Sequence, residues 1–162
     1  MPSFESKVMI ERPPEVVAEA FLNPDNAPYW NSDLKRFEVV ELGPGLAGSR
    51  ARLHYRQGNR TYVMEDYLEQ VVPNQYFKSR VTGNGIRAIV QTWLRPVKEG
   101  TEVSMRWSGR GTSLLTFIVL PFMKRAISRQ VEQELATFKN LVEAHGAQFS
   151  PDAINDQDPA LS

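Results

Sequence analysis

The chain opens on a strict alternation. Phe4, Ser6, Val8 and Ile10 fall on one side and Glu5, Lys7, Met9 and Glu11 on the other, the two-residue period of a half-buried strand. Arg12-Pro13-Pro14 closes it. Proline is tolerated in the first turn of a helix, and Glu15 and Glu19 suit the positive end of one. Val16, Val17, Ala20 and Phe21 then make a short apolar stripe that stops at Asn23-Pro24. Pro24–Ser32 reads as a second short helical turn or loop carrying Tyr29 and Trp30.

From Lys35 to Arg110 the punctuation is that of strands between turns. Phe37–Leu42 stops at Gly43-Pro44-Gly45, and Ser49–Gln57 turns at Gly58-Asn59. Thr61–Val72 stops at Pro73-Asn74, Tyr76–Val81 turns at Gly83-Asn84-Gly85, Ala88–Leu94 runs up to Pro96, and Thr101–Ser108 closes the series. Asn84-Gly85 is the strongest hairpin signal, because both residues tolerate positive φ. Six consecutive strands on short turns predict an antiparallel meander.

After Gly111 the period becomes helical. Ile127, Val131, Leu135, Phe138 and Val142 recur on one face, with Arg129, Glu132, Gln133, Lys139 and Glu143 opposite, and Gly146 is a natural stop. Ile127–His145 would make about 28 Å of helix, enough to lie along a sheet of nine-residue strands about 30 Å long. Ahead of it, Leu114–Met123 is almost wholly apolar. Pro121 should kink this lead-in or split it from the main helix. Ten residues are half of what a bilayer span takes, so the expectation is a buried helix, with a membrane-touching lip as the alternative. Beyond Gly146 the chain is polar and acidic with two prolines. Residues 1–146 are therefore expected to form one domain and 147–162 a flexible acidic tail.

Composition narrows the function classes. With 162 residues and 41% hydrophobic content the chain can bury a full core. Its 19 basic and 19 acidic groups balance, so nothing global draws it to nucleic acid. There is no cysteine, which removes disulfides, thiolate nucleophiles and zinc–thiolate sites. His54 and His145 are the sole imidazoles, and no metal or cofactor is expected. No secretory pattern occupies Met1–Glu11, so the expected location is the cytoplasm. A homodimer stays open.

Strand, two short helices, six antiparallel strands and a long final helix is the helix-grip order, an α+β fold. Glu11-Arg12-Pro13-Pro14-Glu15-Val16-Val17 resembles the entry signature of the polyketide cyclase/dehydrase and lipid-transport superfamily, the START-like or SRPBCC proteins. Similar likenesses run through Asn23-Pro24-Asp25 with Pro28-Tyr29-Trp30-Asn31, Glu69–Asn74, Leu94-Arg95-Pro96 and Gly100–Val103. The resemblance covers about residues 3–146. It implies a curved sheet of about seven strands gripping the long helix, with an apolar cavity between them. It does not imply one chemistry, since such proteins include ligand carriers, aromatase/cyclases and chaperone co-regulators.

Alternation then suggests the cavity lining: Leu53, Tyr55, Phe77, Val81, Val90, Thr92, Leu94, Val103, Met105 and Trp107, faced by Val131, Leu135 and Phe138. Which side of Thr61–Val72 points inward is ambiguous, and a bulge would swap it partway along. Trp30 resembles the family's mouth-of-cavity tryptophan and equally suits a plug between short helices and sheet. Arg50, Arg52, His54 and Arg56 share the opposite strand face with the register of Arg106, which makes His54 a poor general base. The candidates for acid–base work are Glu65 or Asp66, whichever faces in, with Tyr67, Tyr55 and Thr92 as partners. The ligand set is Trp30, Leu53, Tyr55, Phe77, Val90, Thr92, Met105, Trp107, Val131 and Leu135. These residues favour a carrier of a hydrophobic small molecule, lipid or polycyclic aromatic, over a cyclase/dehydratase. A protein-interaction module using the basic strand is a third reading.

Overall fold

The computed structural model describes residues 2–149. In chain order these form β1 (Ser3–Ile10), α1 (Pro14–Leu22), α2 (Ala27–Trp30), β2 (Leu34–Gly43), β3 (Leu46–Gln57), β4 (Arg60–Val72), β5 (Tyr76–Gly83), β6 (Ile86–Val97), β7 (Gly100–Gly111) and α3 (Leu114–His145). The strands make one antiparallel sheet in the order β1-β7-β6-β5-β4-β3-β2, curved around α3 as a helix grip. The meander follows from its turns. Asn84 and Gly85, both at positive φ, close a two-residue hairpin between Gly83 and Ile86.

Pairing fixes which side chains share a face, because directly opposed residues point the same way. Phe4, Ser6, Val8 and Ile10 oppose Trp107, Met105, Val103 and Thr101. Val90, Thr92 and Leu94 oppose Trp107, Met105 and Val103 in turn. The same face continues through Phe77 and Val81 to Asp66, Met64 and Tyr62, then to Ala51, Leu53 and Tyr55. A register shift between Leu68 and Gln70 returns Val71 to that face opposite Phe77. The swap by a bulge is thus real, and it lies at the C-terminal end of β4.

The core fills one half of this concave face. Phe138 is fully buried, with the rings of Trp30 at 4.9 Å, Phe21 at 5.9 Å and Phe149 at 6.1 Å. Phe21 stacks in turn on Phe77 at 5.5 Å. Polar ties hold the same end: Lys139 Nζ donates to the Met9 carbonyl at 2.6 Å and pairs with Glu143, whose carboxylate accepts the Glu11 N–H at 2.8 Å. The Arg12 guanidinium donates to the Glu143 carbonyl.

Two expectations fail here. The domain does not stop at Gly146. Buried Asn26 donates to the carbonyls of Ala20 and Ala147 and accepts the Phe149 N–H at 2.9 Å, which draws Phe149 into the core. The remainder of the expected tail lies outside the described residues. Nor is Leu114–Met123 a buried helix. Pro121 sits inside one continuous α3 of 32 residues, and of its first ten only Leu120 is buried, with Thr116 half-buried.

Phe149→Ala is therefore expected to cost about 3 kcal/mol in a urea melt, the loss typical of an emptied aromatic site. Glu132→Ala, on the exposed side of α3, should stay within about 0.5 kcal/mol. Equal, small effects would mean that the C-terminal segment does not pack on Phe138.

Candidate functional site

Over the other half of the concave face the inward side chains are less completely covered. Tyr55, Tyr62, Met64, Asp66, Val81, Val90 and Trp107 point inward yet remain half-buried. Trp107 stacks on Phe4 at 5.4 Å, and it can lie flat because residue 109 is glycine: a Cβ there would stand 2.4 Å from its ring. Tyr55 stacks on Tyr62 at 5.1 Å. On α3, half-buried Val131 and Glu134 flank buried Leu135.

The expected ligand set divides by burial. Trp30, Leu53, Phe77, Thr92, Met105 and Leu135 are buried, and Trp30 is engaged by Phe21 and Phe138 as a plug would be. Tyr55, Val90, Trp107 and Val131 retain open surface. From sequence, Tyr62 and Met64 are one of two competing inward sides of β4, and together with Ser79 and Glu134 they are absent from the expected ligand set. The first two were legible as the alternation of β4, once its inward side was known.

Strand pairing separates the carboxylates. Glu65 opposes Arg52 and Thr82 on the convex face, where it is exposed, so it is not a cavity acid. Tyr67 is convex too, lying under the Arg50 guanidinium at 5.5 Å. Asp66 alone of the three faces inward. Burial pushes its carboxyl up to about 6, partly offset by a hydrogen bond from Ser79. It forms no ion pair among the described residues. Burial likewise raises Glu134, whose Oε1 accepts from the Ser32 N–H at 3.0 Å and from Gln130 at 3.1 Å. Tyr55 is driven above the usual phenol range by burial first, then by Glu134, Tyr62 and Asp66, so it stays a hydrogen-bond donor.

The remaining polar groups lie elsewhere. The His54 Nε2–H donates to Glu38 Oε1 at 3.0 Å on the convex face, and Arg50, Arg52 and Arg56 are solvent-exposed around it. A broad depression of about 1130 Å³ also occupies the convex side, between Pro14, Pro73, Tyr76, Trp93 and Arg95. It is crossed by the Arg95–Glu102 ion pair and is open, so it is not the expected apolar cavity. No cluster that could hold a metal ion occurs among the described residues.

A family model described as polyketide cyclase / dehydrase and lipid transport matches residues 1–143. The chain belongs to this family. A solved protein from Chromobacterium violaceum is similar, 17% identical with a TM-score of 0.71 over 88% of this chain and 97% of its own. A conserved protein from Geobacillus kaustophilus is 11% identical, with a TM-score of 0.73 over 89% and 97%. Ara h 8.0201 is 13% identical, with a TM-score of 0.67 over 86% and 96%. At these identities the likeness concerns the fold. No curated protein matches the chain. Family membership points to hydrophobic ligand binding or cyclase-like activity, and the described residues include no helix long and apolar enough to cross a membrane.

The Asp66 carboxyl gives a pH signature. Its folded-state pKa of about 6 lies above the 3.8 of the free group. The folded protein therefore holds this proton more tightly, and stability falls as the pH rises from about 4 through about 6. Asp66→Asn should match wild type near pH 4 and become more stable by about 2 kcal/mol above pH 7, allowing for partial exposure. Urea melts of both proteins across that range test it. A difference that does not grow with pH would place Asp66 in water.

Proposed function

We propose that the chain binds a small or medium-sized hydrophobic molecule, a lipid or polycyclic aromatic, on the concave face beneath α3. The observation that carries this reading is the half-buried set Tyr55, Tyr62, Met64, Val81, Val90 and Trp107. These inward groups keep part of their surface exposed, while the same face is packed solid around Phe138. Apolar and aromatic walls with few polar groups are what a ligand site of this kind needs. Covering about 300 Å² of apolar surface would contribute about 7 kcal/mol before the costs of association.

The site's polar end is Asp66, with Tyr55 and Tyr62 as phenol donors. A carrier can use it to orient a hydroxyl or carbonyl. The second reading, a cyclase/dehydratase, is favoured by one observation: a carboxyl with a pKa of about 6 in an apolar surround. Such a group can protonate a departing hydroxyl near neutral pH. The interaction-module reading draws less support, because His54 of the basic strand is already engaged by Glu38 and Arg50 lies over the Tyr67 ring.

The test is a panel of fatty acids, sterols and aromatic polyketides, read by tryptophan emission and thermal midpoint. At least one class should bind. Val90→Trp, which fills open space, should weaken binding without unfolding the protein, whereas Met105 is too tightly packed for that probe. Asp66→Asn should leave affinity within a few-fold, since apolar burial supplies the favourable energy. Failure of every apolar compound would overturn the proposal. Turnover of a cyclisable substrate that Asp66→Asn abolishes would assign the site to an enzyme.

A further inference from the structure

The first turns of α3 present a surface that neither the core nor the concave face uses. Leu114, Leu115, Phe117, Ile118 and Phe122 are all more than half exposed, Leu114 to 78% and Phe122 to 85%. The helix is nonetheless held in place. Ser113 and Thr116 form a reciprocal cap, and the Thr112 N–H donates to the Gly85 carbonyl at 2.8 Å. Large apolar groups displayed together on an ordered helix are the pattern of an interaction surface.

Charge identifies the partner. Between Glu102 and Glu132 the sequence contains no acidic residue. Five exposed cations frame the patch: Arg87 and Arg110, directly opposed on β6 and β7, and Lys124, Arg125 and Arg129 on α3. None forms an ion pair among the described residues. Arg87, Arg110 and Phe117 line a depression of about 330 Å³. Two like charges set directly across a strand pair repel, and an anion seated between them removes that penalty.

The helical period arranges the rest. Leu114, Ile118, Phe122, Arg125 and Arg129 follow one another at spacings of four, four, three and four, so they share one outward line. Three apolar groups are followed by two guanidinium groups about 5–10 Å further along the axis. That sequence fits an acyl boundary beneath a layer of phosphates. The ten residues Leu114–Met123 rise only about 15 Å, half of a bilayer core, so the helix can seat in the interface but not cross it.

We propose that the N-terminal third of α3, framed by Arg87, Arg110, Lys124, Arg125 and Arg129, docks on the surface of an anionic lipid bilayer. Its apolar side chains enter the acyl boundary and its cations meet lipid phosphates. A second copy of the chain suits the surface poorly, because a two-fold contact would face one acid-free cationic frame with another. The docking uses the outward side of α3, so it stands whether or not the concave face holds a ligand.

The experiment is flotation of the full chain with vesicles of phosphatidylcholine alone and of phosphatidylcholine mixed with phosphatidylglycerol. Binding should occur on the mixed vesicles, fall as salt is raised, and be absent or weak on the neutral ones. Replacing Arg87, Arg110 and Arg125 together by Gln should weaken it more than about tenfold. Ile118→Asn with Phe122→Asn should do the same without lowering the thermal midpoint, since both positions are exposed. No binding to either vesicle, equal binding to both, or wild-type binding by either set of variants would overturn the proposal. So would a dimer in solution that the Ile118→Asn, Phe122→Asn pair dissociates, which would assign the surface to a second copy.

Discussion

The ring cluster around Phe138 is the constraint on which the rest of the structure depends. One side chain of α3 is held at once by α1 through Phe21, by α2 through Trp30, and by the chain's C-terminal segment through Phe149. Phe77, stacked on Phe21, connects that knot to the sheet. Edge-on and tilted contacts of this kind add to the area that each ring buries. Because all of them converge on the C-terminal half of α3, that half is fixed on the sheet. The N-terminal half is anchored separately, at the tip of the β5–β6 hairpin, where Gly85 leaves no room for a Cβ against Thr116.

A helix fixed at two ends over a curved sheet need not be packed between them. Around Phe138 the concave face is a core; further along, Tyr62, Met64 and Val90 keep part of their surface open. The open part carries the one inward acidic side chain of β4, and the elevated proton affinity of Asp66 measures how poorly water replaces the lost solvation there. A protein selected for stability alone would place asparagine or a hydrophobic residue at that position. Among the described residues this carboxylate has no cationic partner, so its burial is a local cost that the rest of the fold offsets.

Much of the fold was legible because its signals are local and repeated. The alternation of β1, the Asn84-Gly85 hairpin and the helical stripe through Val131, Leu135 and Phe138 each specify their element with no help from elsewhere. What failed was whatever depends on long-range company. Leu114–Met123 reads as buried because apolarity shows what a residue prefers, not whether the fold supplies a neighbour. Phe149 reads as tail because its flanks are polar; its place is set by Asn26, 123 positions earlier, and no local pattern reports that bond. The site was legible as a face but not as a space: period two gave the inward set of β3, β6 and β7, yet could not say that Met105 is packed while Val90 is open. On β4 the bulge between Leu68 and Gln70 breaks the period, so Glu65 and Asp66 could be told apart only by pairing.

Charge places these features in one scheme. The chain is neutral overall, and neutrality alone gives no reason for attraction to any surface. The distribution is not neutral: acids lie on α1, β2, β4 and the C-terminal half of α3, where Glu38, Glu69 and Glu143 are bound up in hydrogen bonds and ion pairs. The stretch from Val103 to Val131 has none. The segregation follows α3, with its paired charges at the end the aromatic knot secures and its unpaired cations at the end that carries exposed leucine and phenylalanine. Between those ends, the inward stripe roofs the half-open face. One helix thus joins an anchored end, a half-buried inward stripe and an exposed apolar tip, so the same element is core at one end and surface at the other.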